Sequence, residues 1–225
     1  MIEVTPLRRD TMGGEVFRIT DRDADLLSTL SLRVRILSRE QILRTWWHES
    51  GPSSPPRLRR LIRCGLLRER ATTAIYVGER LLPLSVWSPE EPSPDFGALA
   101  WLLKQRWSSP LKPTTVYFAT AHSARLYGGV RLGRVPRAFH VSHDLGVAEM
   151  FLALRRRHPA AVELWIDEDR LAPFRRGLKL PDAILATAPS ADPIRVLEWG
   201  GLYSKRRLLA FHLDCEGRGL PYEVW

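Results

Sequence analysis

The 225-residue chain is poor in several things at once, and each shortage excludes a class of protein. It holds two cysteines, Cys64 and Cys215, too few and too far apart for a disulfide framework or a zinc site. No apolar run approaches the ~20 residues of a membrane-spanning helix. Met1 to Asp10 carries acids and arginines where a secretory leader needs an apolar stretch, so the cytoplasm is the expected location and no membrane partner is expected. There is no GxxxxGK[ST] loop to cradle a nucleotide's phosphates, and Ser123 lacks the context of a nucleophile elbow. No internal repeat or low-complexity tract is visible. Lysine is scarce too: Lys104, Lys112, Lys179 and Lys205 are the only four, so arginine supplies 30 of the 34 basic residues.

What is present is the composition of a packed protein, with 44% hydrophobic and 26% charged residues, over a length that suits one large or two small domains. The net charge is +9 and the pI near 10.2. From Arg33 to Arg70 ten arginines face three acids, a local excess of +7. Such concentration is the electrostatic footprint of a nucleic-acid binder, because neutralised phosphates release counterions; a solvated basic face is the competing reading.

The first ninety residues predict small, well-punctuated elements. Thr20 caps a first helix to about Arg33, with Asp21, Asp23 and Asp25 at its positive end and Leu26, Leu27, Leu30 and Val34 on one face. Ser38 and Gln41 form the capping box of a second helix carrying Ile42, Leu43, Trp46 and Trp47. A third, Arg57 to Cys64, is stopped by Gly65; Leu58, Leu61, Ile62 and Leu66 face inward and Arg57, Arg59, Arg60 and Arg63 outward. Residues 66–70 and 74–77 then read as two strands joined by a short polar turn. Trp46 and Trp47 either stack on bases or pack in a core.

Helix, helix, arginine-rich helix and hairpin is the order of a winged helix-turn-helix. The phrase RLRRLIRCGLLRER resembles the recognition helix, glycine stop and first wing strand of bacterial winged-helix regulators. That resemblance implies double-stranded DNA as partner, with Arg57, Arg59, Arg60, Arg63, Arg68 and Arg70 on the third helix and wing, and Arg39 and Arg44 on the second helix, as the DNA-binding residues. A dimerisation or protein-docking module with solvated arginines is the alternative.

Ser88 to Pro94 is a proline-rich acidic break, which places a linker at 89–96 between a first domain, 1–88, and a second, 97–225. In the second, Asp95 caps a helix to Trp107, residues 114–119 have the composition of a buried strand, and an apolar helix covers Leu145 to Leu154. Strands follow at 162–166, 182–187 and 194–199, then a closing helix from about Ser204. His140, Ser142, His143 and Asp144 crowd together either as a helix cap or as a weak metal set.

This order resembles the PD-(D/E)xK, or restriction-endonuclease-like, fold, giving an expected α+β protein: a winged helix followed by an α/β nuclease-like domain. The resemblance makes Asp182, after Pro181, and Glu198 the acids that would bind Mg²⁺ and activate water. The assisting lysine would stand at residue 200, which is Gly200; Lys205 is the candidate substitute, and Glu149 a further acid. A degenerate core without cofactor or catalysis is the expectation, with Mg²⁺ only if the domain is a nuclease. Taken together, Thr20-Asp21-Arg22-Asp23 through LPDAILAT, VLEWGGLYSKRRL and HLDCEGRGLPYEVW are similar to the replication-relaxation family of bacterial plasmid and mobile-element proteins. That similarity implies a transcriptional regulator or a replication and relaxation accessory factor, with a relaxase or replication protein as a further partner; analogy with helix-turn-helix proteins makes a homodimer the expected state.

Overall fold

The computed structural model describes residues 3–4, 17–47, 56–76, 78–80, 82–130, 140–175, 177 and 179–225. The protein is mixed α and β. It divides into two compact units: 1–74 with 113–148, and 75–112 with 149–225. Both are discontinuous, which differs from the contiguous division at 89–96 read from the sequence. The proline-rich stretch lies inside the second unit.

The first unit opens with the paired strands β1 (Glu3–Val4) and β2 (Phe17–Arg18). Helix α1 (Asp21–Leu32) starts where its cap dictates: Thr20 accepts from the Asp23 amide, and Asp23 accepts from the Thr20 amide at 2.8 Å. Leu26, Leu27, Leu30 and Val34 are buried, the face the periodicity requires. Strand β3 (Leu37–Ser38) leads into α2 (Arg39–Ile42), whose Ser38–Gln41 capping box is complete. The helix continues as a π turn, Leu43–Trp47. Helix α3 (Pro56–Arg63) ends at Gly65, whose φ of 71° suits a residue without a side chain.

The wing differs from the expected hairpin. Residues 67–75 form one unbroken strand, β4 (Leu67–Ile75), and its neighbour in the sheet is β6 (Leu111–Ala119), from some forty residues downstream. The physical reason is local: Ala71-Thr72-Thr73 offers no glycine, asparagine or proline for a tight turn, and the two threonines favour extended backbone. Val77, the end of the expected second strand, lies outside the described residues. The sheet order is β3-β6-β4, with β3 antiparallel to β6. Helix α5 (Ala121–Leu126) follows β6. The loop after it passes so close to α1 that a Cβ at Gly129 would lie 2.3 Å from the Ser31 carbonyl oxygen.

The second unit is built on the sheet β5-β10-β9-β8-β7. Strands β7 (Trp165–Asp167), β8 (Ala183–Leu185) and β9 (Arg195–Glu198) form an antiparallel meander. Helix α8 (Lys205–Glu216) then crosses over so that β10 (Tyr222–Val224) pairs parallel to β9. Strand β5 (Ser85–Trp87) closes the sheet against β10. Helix α4 (Phe96–Trp107), capped by Asp95, and α8 bury Phe96, Leu99, Leu103, Leu208 and Phe211 in one cluster with Trp87 and Tyr222 of the sheet. Helix α6 (Val141–Arg157) precedes a 3₁₀ turn at 159–164, where the sequence suggested the first strand; a short helix, α7 (Glu168–Leu171), follows β7. The proline-rich stretch is fastened: Ser93 Oγ meets the buried His212 Nε2 at 3.0 Å, and Trp87 Nε1 donates to the Glu91 carbonyl at 3.1 Å. No described helix is long and apolar enough to cross a membrane.

Asp23 is fully buried, and burial alone would raise its carboxyl. The hydrogen bonds from Arg57 and Thr20 outweigh that and hold it below its ordinary 3.8. A depressed carboxylate contributes stability above its unfolded value and loses it as pH falls through the folded one. Asp23→Asn is therefore expected to cost about 3 kcal/mol at neutral pH, the lower end for breaking a buried pair. Urea melts from pH 7 to pH 2 should show the wild type losing its advantage over the variant only below about pH 4.

Candidate functional site

The eight arginines singled out from the sequence do not share one role. Arg57 Nε lies 2.9 Å from Asp23 Oδ2, its Nη2 also binds that carboxylate and the Arg18 carbonyl, and its guanidinium sits 4.3 Å from the Phe17 ring centre. It is a strut between α3 and α1. Arg60 lies over the same ring at 5.3 Å. Arg59 and Arg63, one helical turn apart, are exposed. Arg68 and Arg70 are exposed on alternate positions of β4, hence on one face of the strand, with Arg68 6.0 Å from the Phe118 ring centre. Arg39 and Arg44 are half-buried. Trp46 is buried and donates through Nε1 to Asp25 at 2.8 Å, a core role; Arg22 covers Trp47.

In the second unit the two acids do come together. Asp182 precedes β8 and Glu198 ends β9, adjacent strands of the meander. The Asp182 amide donates to Glu198 Oε2 at 3.4 Å, the Trp199 amide donates to Asp182 Oδ2 at 2.8 Å, and the Tyr203 hydroxyl donates to Glu198 Oε1. Burial and then the Glu198 charge push the Tyr203 phenol far above its ordinary value, so it stays a donor.

The other expected members are elsewhere or displaced. Glu149 is buried and binds the Arg80 amide at 3.1 Å and Arg156 Nη2 at 3.2 Å. Lys205 is exposed at the start of α8; hydrogen bonds from the Ala98 and Gly97 amides, and after them the Lys205 charge, hold the Asp95 carboxyl below its ordinary value. At Gly200 a Cβ would lie 2.7 Å from a Leu103 methyl and 3.3 Å from Val224, while the Gly200 carbonyl accepts from Arg106 Nη2 at 2.6 Å and Trp107 Nε1 at 2.8 Å. Helix α4 occupies the ground a lysine would need. Arg106 lies 4.1 Å from the Trp199 ring centre, and burial followed by the Arg80 charge pulls it down to about 9.

Mg²⁺ does not fit this donor set. At least three of the four carboxylate oxygens already accept protein hydrogen bonds, and no group of three His, Cys, Asp or Glu placed to hold a metal occurs among the described residues. The His140 to Asp144 group is no metal set either: Asp144 is buried and pairs with Arg35 at 3.3 Å.

Two features were not legible in the sequence. Tyr203 takes the place beside Glu198 that a cation was expected to fill. A cavity of about 70 Å³ also opens there, floored by Val196, Glu198 and Tyr203 and rimmed by Arg175, Lys179, Arg207 and Arg218. Cys215 lines it, but burial and then the Asp214 charge push its thiol up to about 12, which keeps it protonated and unreactive.

Comparisons with protein-family models, curated proteins and solved structures find no match to the chain.

Because the space beside Gly200 is filled, Gly200→Ala is expected to destabilise the protein by about 1 kcal/mol through overpacking. Gly200→Lys is expected to cost more and to confer no nuclease activity. Denaturant midpoints and a plasmid-cleavage assay with Mg²⁺ check the pair.

Proposed function

We propose that the protein binds double-stranded DNA through its first unit, used as a winged helix, and serves as a transcriptional regulator or as an accessory factor in replication or DNA relaxation. The observation that carries this reading is the division of labour on α3: Arg57 and Arg60 are held inside against Asp23 and Phe17, while Arg59 and Arg63 stay exposed. A helix merely solvated by arginine has no need to be braced on one side and bare on the other. The sheet order β3-β6-β4 supports it, because a short strand between the first two helices, paired with the strand that returns after the wing, is the arrangement of a winged helix. In this reading the segment between β4 and β6 is an insertion at the wing tip, and Arg68 and Arg70 lie on the wing's first strand. Base edges would be read by α3 and phosphates gripped by the strand. A homodimer on a palindromic site is the usual geometry for such modules, and a relaxase or replication protein is the further partner proposed.

For the second unit we propose a nuclease-like domain that does not cut. Apart from the one-turn helix α7 and the short 3₁₀ turns, the order α6, β7, β8, β9, α8, β10, together with the adjacency of Asp182 and Glu198, supports the nuclease-like reading. Gly200, the hydrogen-bonded carboxylates and Tyr203 support the loss of catalysis.

Fluorescence anisotropy on duplex DNA from the gene's own upstream region tests the first proposal. Affinity is expected to fall steeply with salt, and Arg59→Ala with Arg63→Ala to weaken it by about tenfold or more and to reduce the log–log salt slope by about 2. Salt-insensitive binding, or binding indifferent to these two residues, would sink the reading. Incubation of plasmid with Mg²⁺ or Mn²⁺ is expected to leave it intact; cutting that disappears in Asp182→Ala would restore a PD-(D/E)xK endonuclease.

A further inference from the structure

We infer that the cavity lined by β9, α8, Arg175 and residues 179–181 binds a phosphoryl group, held by side-chain cations without a metal ion. Helix α8 supplies Arg207 and the turn after it Arg218, and Arg175 and Lys179 come from before β8, so four cations line a space that also holds two carboxylates, Glu198 and Asp214. Asp214 pairs with Arg218 at 3.5 Å. Arg175, Lys179 and Arg207 form no ion pair among the described residues. Four cations against two carboxylates leave the space net positive, and an anion that enters relieves the remaining repulsion.

The cations are also aimed. Arg207 Cζ lies over the Tyr203 ring, 3.9 Å from its centre, and Lys179 Nζ lies 5.3 Å from the Phe211 ring centre. A guanidinium held over a ring face still has N–H groups to offer to phosphoryl oxygens. Burial, and next the Arg218 charge, hold Arg175 below its ordinary value, with Asp214 and Asp192 offsetting this only in part. Cation crowding is therefore felt at the rim itself.

Glu198 on the floor does not close the site to anions. Its oxygens accept from Tyr203 and the Asp182 amide, so the negative charge is spread into donors, and the phosphoryl group sits toward Arg207 and Lys179. The cavity has room for several water molecules, enough for a phosphoryl group. This site belongs to the second unit, whereas the proposed duplex contacts belong to the first, so either can fail alone.

The phosphoryl group comes either from a nucleic-acid end or from a small phosphorylated molecule. Calorimetric titration of the full chain carrying Arg59→Ala and Arg63→Ala, in EDTA and at constant ionic strength, separates these. Saturable binding of inorganic phosphate is expected, weakened at least tenfold by Lys179→Gln with Arg207→Gln. A 5′-phosphorylated oligonucleotide that binds more tightly than its 5′-hydroxyl counterpart assigns the group to a nucleic-acid end; equal binding of the two, with phosphate still saturating, assigns it to a small molecule. Absence of saturable phosphate binding overturns the inference. So does phosphate affinity unchanged in the double variant when its thermal melt shows it folded. If that variant does not fold, Arg175→Gln, outside the helix, decides in the same titration.

Discussion

Thirty arginines among 225 residues, facing only 25 carboxylates, set the constraint to which both units answer. Guanidinium groups near a core must be screened, and there are too few acids to do it. Aromatic faces take up much of the shortfall. Arg57 and Arg60 lie over Phe17, Arg68 near Phe118, Arg106 and Arg80 over Trp199, and Arg157 over Trp225. Such contacts are worth roughly 0.5 to 2 kcal/mol each, depending on how far the cation is desolvated. They also fix the guanidinium plane, which a flexible ammonium would not accept as readily. Arginine excess and the abundance of tryptophan are in this sense one property.

That constraint separates structural cations from available ones. On α3 the distinction falls within eight residues: Arg57 binds the fully buried Asp23, which in turn binds Thr20 at the start of α1, so cap, first helix and third helix meet at one carboxylate. Arg59 and Arg63 project on the remaining side and are the ones left for solvent or a partner. On α8 Arg206 and Arg207 are both exposed, and Arg207 lies over the Tyr203 ring at a cavity edge, where it too is left for a partner.

How much of this could be read beforehand depended on the range of the interaction concerned. Caps and stops act within four residues, so Thr20, Ser38, Asp95 and Gly65 announced their helices, and Leu26, Leu27 and Leu30 announced the face they bury. The partner of β4 could not be announced. Residues 67–75 look like two short strands because an isolated polar stretch suggests a turn, whereas β6, far along the chain, makes one long strand the better answer. For the same reason a contiguous two-domain division was natural, although both units are assembled from separated segments. Asp182 and Glu198 were legible as strand-end acids in the right order. The Trp199 amide and the Tyr203 hydroxyl that bind them were not, since neither residue type signals that role.

On the nuclease-like reading proposed for the second unit, these carboxylates make the absence of a lysine at residue 200 part of a wider arrangement. In a metal-dependent nuclease the acids must keep oxygens free and a cation must lie two residues beyond the second acid. Here the acids tie β8 to β9: Asp182 accepts from the amide that follows Glu198, and Glu198 accepts from the amide of Asp182. Having no side chain, Gly200 lets Leu103 of α4 approach the end of β9, and its carbonyl gathers Arg106 and Trp107 from the same helix. Arg106 then covers Trp199, whose own amide holds Asp182. Helix α4, the strand end and both acids thus form one connected arrangement in which the space beside Gly200 is packing and both carboxylates are hydrogen-bond acceptors. A change at any one of these positions would disturb the others, so the docking of α4 and the hydrogen bonding of both acids are linked through one glycine.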